Sequence, residues 1–296
     1  MSSDKPTNSR LTQIDGLRGV AALSVVAYHY TTRYDELFAH SEPLPLSMPY
    51  GYLGVQLFFV ISGFVILRTL DSTRAPMDFV FSRFSRLFPV YWTAVLFTTL
   101  LLTTASIPGY QPTRLQVLGN LTMVQERFSI PSIDGVYWSL EVELVFYVWM
   151  LSLWVTGLLH RPVIVLAAWM SLSILVYLLE QRLGRPLLPY SLQHVMMLHW
   201  IPWFAMGIGA YQAGLRGRVD RPIFIQVALA VLTIGVRSGW PSALLGLAFF
   251  YAIHSAAQGR LAPLGWRPMV YFGAISYPLY LLHEKIGWVT ILETTG

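Results

Sequence analysis

Apolar segments of nearly bilayer-spanning length follow one another along most of this 296-residue chain. A helix needs about 20 mostly apolar residues to cross the hydrocarbon core of a bilayer, and the segments approach or reach that length. We therefore predict an all-α fold, a polytopic transmembrane helical bundle of about nine spans, as one domain over residues 1–296. The predicted spans are 17–33, 54–70, 88–105, 137–158, 163–180, 195–213, 223–237, 240–257 and 269–283.

The composition excludes the soluble and disordered classes of protein. Only 12% of the residues are charged and 55% are hydrophobic, whereas a soluble domain is about 25% charged. So little charge does not suit a cytosolic enzyme, and the sequence lacks the charge blocks and Pro/Gly/Ser repeats of disordered or fibrous chains. The chain has no cysteine, which excludes disulfides, a thiolate nucleophile and Cys-ligated metals.

The basic residues of the loops indicate on which side the N-terminus lies. A cytoplasmic N-terminus places thirteen of the twenty Lys and Arg residues inside, as the positive-inside rule requires. This bias explains the pI of about 9.4 without a nucleic-acid partner. Residues 1–13 form a polar tail without a signal-peptide pattern, and 115–125 fits an interfacial helix. The seven outer residues are Arg33, Arg114, Arg127, Arg182, Arg185, Arg237 and Lys285.

The opening span carries two ionisable residues, Arg18 and His29. Eleven residues apart, they lie about 20° from alignment on one helix face and roughly 16 Å apart along its axis. Ionisable groups inside spans are costly and mark functional sites, and a neutral imidazole suits a general base. The structural alternative is an arginine that snorkels to the headgroups and a histidine bonded to a backbone carbonyl.

The segment WSLEVELVFY carries two glutamates. Glu141 and Glu143 lie about 200° apart around a helix, so they cannot share a face. Ser139, Glu143 and Tyr147 follow at intervals of four and do share one. We expect one glutamate to face the bundle interior and a basic partner, as a functional group or as a structural ion pair. His283, in SYPLYLLHEK, is a further candidate near the outer side, where a lone histidine is more often interfacial than catalytic.

Arg83 and Arg86 lie three residues apart, just before the predicted span 88–105. Two guanidinium groups on one face of a helix start can bind a phosphate through paired hydrogen bonds. A cytoplasmic anchor or an anionic-lipid site fits the same spacing. The spacing alone therefore leaves the role of this pair open.

Six stretches of the chain, in order, resemble the membrane-bound acyltransferase family 3. They are IDGLRGVAALSVVAYHY, GVQLFFVISGFVI, FSRFSRLFPVYW, WSLEVELVFYV, PWFAMGIGAY and SYPLYLLH, which together extend over nearly the whole chain. The resemblance implies a multi-pass enzyme of a bacterial inner or plasma membrane with a cytoplasmic N-terminus. Such an enzyme passes an acyl group, usually acetyl, from cytoplasmic acyl-coenzyme A to a hydroxyl of a glycan, glycolipid or small metabolite.

The resemblance also implies roles for individual residues. His29 matches the family's catalytic histidine, Arg18 its paired arginine, and Glu143 the glutamate of its fourth span. Arg83 and Arg86 match the Arg-x-x-Arg motif linked to the coenzyme A phosphates. We expect Glu143 to accept a hydrogen bond from His29 and fix its tautomer. An acyl-histidine intermediate stays open. Candidates on the acceptor side are Ser139, Tyr147 and His283.

Expected partners are acyl-coenzyme A, a hydroxylated acceptor and the lipid bilayer, with no metal and no tightly bound cofactor. Members of the family usually have more spans and a longer chain, so we expect the last helix to be lost or truncated after about 285. In other members of the family, proline is common at the position directly after His283, which Glu284 occupies in this sequence. Two rival functions remain: a membrane transporter whose buried His and Glu gate protons, and an inactive scaffold in polysaccharide export.

Overall fold

The computed structural model describes residues 11–38, 46–105 and 111–295, and most of the predicted polar tail lies outside these ranges. The described chain folds into α-helices joined by turns and single-turn 3₁₀ helices. The helices are α1 (Thr12–Tyr30), α2 (Thr32–Phe38), α3 (Gly54–Ser72), α4 (Pro76–Thr104), α5 (Arg114–Asn120), α6 (Trp138–Val155), α7 (Pro162–Leu183), α8 (Tyr190–Val195), α9 (Ile201–Arg216), α10 (Arg221–Ser238), α11 (Trp240–Ala257), α12 (Arg267–Ala274) and α13 (Ser276–Thr295).

Within the described part of the chain, five helical segments are long and apolar enough to cross a bilayer. They confirm the predicted all-α membrane fold class, while the number of spans stays a prediction. The short helix α5 begins one residue before the predicted interfacial stretch 115–125 and covers its first half. The five segments are Gly51–Ser72, Pro76–Thr104, Gly135–Val155, Pro162–Leu183 and Arg221–Ser238.

The predicted span 269–283 is not one helix. The helix is interrupted at Ile275, between α12 and α13. Pro278 lacks the N–H that would bond to the carbonyl of Ala274, and its ring clashes with that carbonyl, so α12 ends there. Helix α13 then continues to Thr295, through the positions after 285 where we expected a helix to be lost or truncated.

Glycines let the central helices approach one another closely. A Cβ on Gly63 of α3 would lie 2.1 Å from the carbonyl oxygen of Phe204 in α9, and one on Gly207 would lie 1.8 Å from that of Val60. In membranes, small residues at such crossings allow the backbone contacts that hold helices together. The α3–α9 pair therefore forms a rigid wall of the bundle.

Five helices enclose the interior where the buried polar residues lie. Helix α1 packs against α3 and α13, α4 packs against α13 and α6, and α6 packs against α3. The polar residues that the sequence places on α1, α4 and α6 therefore face a shared space, and α13 adds residues from the far end of the chain.

Candidate active site

The first cavity of the site, the arginine cavity, lies between α1, α3, α4, α6 and α13. Its polar lining includes Arg18, Arg86, Glu143, Tyr147 and Ser62. The carboxylate of Glu143 accepts hydrogen bonds from the hydroxyl of Ser62 at 2.6 Å and from that of Tyr147 at 2.5 Å. The cavity thus combines two guanidinium groups with one fixed carboxylate.

The predicted polar face of α6 is confirmed. Ser139, Glu143 and Tyr147 all line the arginine cavity. Glu141 points away from it and, only 2% exposed, pairs with Arg127 at 2.5 Å. Both glutamates are therefore inside the protein, but Glu141 serves a structural ion pair while Glu143 faces the cavity.

The Arg83–Arg86 pair lies on α4 next to Tyr147, at the edge of this cavity. Arg86 lines the cavity, and the guanidinium carbon of Arg83 lies 5.8 Å from the ring centroid of Phe79 and 5.9 Å from that of Tyr147. Nε and Nη1 of Arg83 are buried and have no hydrogen-bond partner among the described residues. Buried unpaired guanidinium N–H groups are costly, which is typical of a site that binds an anion.

The second cavity, the histidine cavity, contains the imidazole of His29. Glu284 and Gly135 line it together with aromatic side chains. It shares Val55 and Tyr280 with the arginine cavity, so these two side chains separate the cavities. The aromatic lining residues are Tyr28, Tyr52, Trp138, Trp200 and Tyr280.

His29 contacts groups on both of its ring nitrogens. Nδ1 lies 2.9 Å from the carbonyl oxygen of Val25 and 3.1 Å from Nε2 of His283. Nε2 lies 3.2 Å from a carboxylate oxygen of Glu284. The predicted hydrogen bond between His29 and Glu143 is therefore wrong, because Glu143 binds Ser62 in the other cavity.

The separating residue Tyr280 is fixed by hydrogen bonds. Its hydroxyl lies 2.6 Å from the hydroxyl of Ser139 and donates to the carbonyl oxygen of Val136 at 3.2 Å. The backbone carbonyl of Tyr280 accepts from Nδ1 of His283 at 2.8 Å. The candidate Ser139 thus lies at the boundary between the two cavities, whereas the candidate His283 contacts Tyr280 and His29 but lines neither cavity.

The sequence analysis did not single out Glu284 and Lys285 as site residues. Both are buried, and their charged groups lie 3.4 Å apart. The predicted span ended at residue 283, which placed them at the membrane surface. The signal that could have revealed them is the charged pair that directly follows His283 in a helix with no break.

Asp134 belongs to the same buried group of charges. It lies in the turn before α6 and accepts a hydrogen bond from the backbone N–H of Lys285 at 3.3 Å. Burial, with a further contribution from nearby Glu284, raises the pKa of this carboxyl well above its usual range. The charges next to His29 thus come from two distant parts of the chain.

Three curated relatives of this chain are bacterial proteins. The putative peptidoglycan O-acetyltransferase YrhL of Bacillus subtilis is 26% identical over 92% of this chain and 48% of its own length. Protein 2 in the picA locus of Rhizobium radiobacter is 38% identical over 31% of this chain and 44% of its own. The exopolysaccharide production protein ExoZ of Rhizobium meliloti is 32% identical over 38% of this chain and 37% of its own length.

In each case the aligned region spans less than half the length of the relative. No solved structure matches the chain significantly. A family model described as an acyltransferase domain matches residues 11–292, which include both cavities and the helices around them. The chain therefore belongs to the acyltransferase 3 family of membrane proteins that its sequence motifs resemble.

Proposed function

We propose that this protein is an integral membrane O-acyltransferase. It transfers an acyl group, acetyl in the simplest case, from cytoplasmic acyl-coenzyme A to a hydroxyl of a cell-surface polysaccharide, glycolipid or related acceptor. The observation that carries the proposal is the meeting of the two cavities at Val55 and Tyr280. The arginines then lie at the far end of one cavity and His29 in the other. This arrangement suits a long donor that carries phosphates at one end and a thioester at the other.

The cationic end suits the donor. Coenzyme A carries phosphates far from its thioester, and guanidinium groups bind phosphate through charge-assisted hydrogen bonds worth about 1.5–3 kcal/mol each. Arg86 faces the arginine cavity, and Arg83 beside it has two buried N–H groups that a phosphate would satisfy. The pantetheine arm would then pass Arg18 toward Tyr280.

The histidine end suits the chemical step. Nε2 of His29 takes the proton of the acceptor hydroxyl, whose oxygen attacks the thioester carbonyl carbon. A new C–O bond forms, the C–S bond breaks, and the imidazolium returns its proton to the departing thiolate of coenzyme A. The side chain of Tyr280 lies between the cavities, so it must move or lie beside the arm for the thioester to reach His29.

Glu143 and Arg18 act on the donor side in this proposal. Both line the arginine cavity, and the carboxylate of Glu143 is fixed by Ser62 and Tyr147. A fixed carboxylate in a cavity with two arginines offsets part of the electrostatic repulsion between their cationic groups. Glu143 thus supports donor binding and not the tautomer of His29.

A glycan is the acceptor that we propose. The relatives YrhL and ExoZ are named for peptidoglycan O-acetylation and exopolysaccharide production. The histidine cavity presents the flat rings of Tyr28, Trp138 and Trp200 beside His29. A cavity lined by aromatic rings with a few polar groups gives apolar faces to a sugar ring and leaves one hydroxyl to be oriented by hydrogen bonds.

Release of free coenzyme A tests the activity. Protein purified in detergent is incubated with acetyl-coenzyme A and membrane glycans, and the free thiol and the acetylated glycan are followed by a thiol reagent and by mass spectrometry. We expect both products in equal amounts from the wild type and neither from His29→Ala. A wild type that releases no thiol with any glycan fraction would favour the transporter or scaffold function.

A further inference from the structure

We propose that Glu284 is the positioning residue for His29, through a carboxylate–imidazole pair that stabilises the ring when it carries two protons. The inference rests on the proposed function, in which His29 is the base. It assigns to the last helix a role that the sequence analysis gave to Glu143. The contact that carries it is the 3.2 Å distance between Nε2 of His29 and a carboxylate oxygen of Glu284.

The tautomers of the two histidines follow from their acceptors. Nδ1 of His283 lies 2.8 Å from the carbonyl oxygen of Tyr280, which can only accept, so this nitrogen carries the proton of a neutral ring. Nε2 of His283 is then an acceptor. Nδ1 of His29 faces that nitrogen and the carbonyl of Val25, and it must carry a proton as well.

The basic nitrogen of His29 is therefore Nε2, the atom that faces Glu284. When Nε2 takes the proton of the acceptor hydroxyl, the positive charge of the ring lies 3.2 Å from a carboxylate oxygen, at ion-pair distance. The imidazolium is then paired on Nε2 by Glu284 and on Nδ1 by Val25 and His283. The ion pair with Glu284 and the contacts of Nδ1 together lower the free energy of the charged state.

The surroundings fix the carboxylate in place. The side chains of His29 and Glu284 are 14% and 6% exposed, so water screens the pair little. The ammonium of Lys285 lies 3.4 Å from Glu284 and 4.2 Å from the ring centroid of Trp288. A Cβ on Gly135 would lie 2.8 Å from the carboxylate, so glycine leaves the space that the carboxylate occupies.

Backbone contacts tie the same turn of α13 to the opening helix. The indole N–H of Trp288 donates to the carbonyl oxygen of His29 at 3.1 Å, and the hydroxyl of Tyr30 donates to that of His283 at 2.9 Å. These bonds fix the position of α13 along the axis of α1. The register that places Glu284 opposite Nε2 is thus held by groups that do not titrate near neutral pH.

The charged and titratable groups around His29 come from every neighbouring element. Glu284, Lys285 and His283 lie on α13, and Asp134 lies in the turn before α6. Tyr28, from the same helix, contacts the ring edge-on, with the ring centroids 5.0 Å apart. Removing the charge of Glu284 takes away the anion beside the ring and leaves the cation of Lys285 uncompensated by it. Both effects disfavour the imidazolium.

The first test replaces Glu284 with glutamine, which keeps the shape and removes the charge. We expect kcat to fall about 10- to 100-fold, less than the loss of a base that is worth about 10²–10⁴-fold. The acidic limb of the rate profile should move to lower pH by about 1 unit, because the imidazolium loses its counter-charge. Glu284→Asp keeps the negative charge, so its acidic limb should lie close to the wild-type pH.

A second readout needs no acceptor. Diethyl pyrocarbonate reacts with the neutral imidazole, and mass spectrometry of the peptide that contains His29 follows its labelling against pH. The midpoint should move to lower pH in Glu284→Gln and to higher pH in Lys285→Met, which removes the competing cation. The labelling midpoint is expected to shift in opposite directions in the two variants, so either variant tests the pair even where the other folds poorly.

Glu141→Gln is the matched control, because Glu141 is as deeply buried as Glu284 but pairs with Arg127 away from the site. It should lower thermal stability and leave the labelling midpoint of His29 at the wild-type pH. A midpoint and an acidic limb unchanged in Glu284→Gln would overturn the inference. A wild type that consumes no acetyl-coenzyme A would overturn the proposed function alone, since the labelling midpoints still test the pair.

Discussion

At the scale of single residues, His29 is the side chain on which the proposed chemistry depends. We expect His29→Ala to reduce transfer by about 10²–10⁴-fold while the protein stays folded in the membrane, because the side chain of His29 lines a cavity and is not enclosed on all sides. Acetylated acceptor measured against the amount of folded protein gives the comparison. A variant that retains more than a tenth of wild-type turnover would contradict the assignment.

The two glutamates of α6 should differ in what their loss affects. Glu143→Gln should lower turnover at low concentrations of acetyl-coenzyme A, because Glu143 lines the donor cavity together with Arg18 and Arg86. Glu141→Gln should chiefly lower stability, by about 1–3 kcal/mol, because it leaves the guanidinium of Arg127 with a weaker buried partner. Turnover and thermal unfolding of both variants in the same detergent separate the two effects, and an equal loss of turnover would refute the distinction.

The sequence predicted which residues of α1 and α6 face the interior but not which of them meet. Helical spacing alone placed Ser139, Glu143 and Tyr147 on one face, since that face depends only on the geometry of one helix. The partner of His29 lies more than 250 positions away, on α13. That pairing depends on the rotation and height of one helix against another, which no local pattern specifies.

At the scale of elements, the start of α4 should control donor affinity. Arg83→Ala combined with Arg86→Ala removes guanidinium groups from the end of the arginine cavity that we assign to the coenzyme A phosphates. We expect a raised KM for acetyl-coenzyme A with a smaller change in kcat, and greater loss at high salt.

Steady-state kinetics at two salt concentrations provide the measurement for the arginine pair. Arg74→Ala is a suitable control, because Arg74 is a basic residue in the turn just before α4 and outside the cavity lining. An unchanged KM in the double variant, with a disturbed membrane orientation, would show that the pair is a cytoplasmic anchor.

The crossing of α3 and α9 should tolerate no added methyl group. In Gly207→Ala the new Cβ would lie 1.8 Å from the carbonyl oxygen of Val60, so the helices must separate. Overpacking of this kind costs about 1–3 kcal/mol. Gly214→Ala, on the exposed end of the same helix with nothing within 4 Å, should leave the unfolding temperature unchanged or slightly raised, and equal effects of the two would refute the packing argument.

Hydropathy predicted the helices best where the whole segment is apolar. The spans 54–70 and 163–180 match α3 and α7 closely. It failed where a break depends on one residue or a turn, as at Pro278 and in 195–213, where α9 begins only at Ile201. A hydropathy window averages over such a break and reports one continuous apolar segment.

At the scale of the whole molecule, the site lies between the two ends of the chain. The opening helix supplies Arg18 and His29, and the last described helix supplies His283 and Glu284. Loss of α13 would therefore remove a wall of both cavities together with the partners of His29. The motifs on α1 and on α13 thus belong to one site, because each helix supplies residues that contact those of the other.

The sidedness of the reaction is the last prediction. The bias of thirteen basic residues inside against seven outside predicts a cytoplasmic N-terminus, which places Arg83 and Arg86 with the cytoplasmic pool of acyl-coenzyme A. His29 lies about eleven residues along α1 from Arg18, roughly 16 Å deeper, and opens into a separate cavity. We therefore expect the donor to enter from the cytoplasm and the acceptor to be modified in the outer half of the bilayer.

Sealed inside-out vesicles measure this directly, because their outer surface is the cytoplasmic face. Radiolabelled acetyl-coenzyme A, which does not cross the bilayer, is added outside, and acceptor glycan is either enclosed or added outside. Label on the enclosed glycan, absent in vesicles that carry His29→Ala, is the expected result. Label confined to glycan on the donor's side would show that both substrates enter from the cytoplasm, and the division of the site into an inner donor cavity and an outer acceptor cavity would then be wrong.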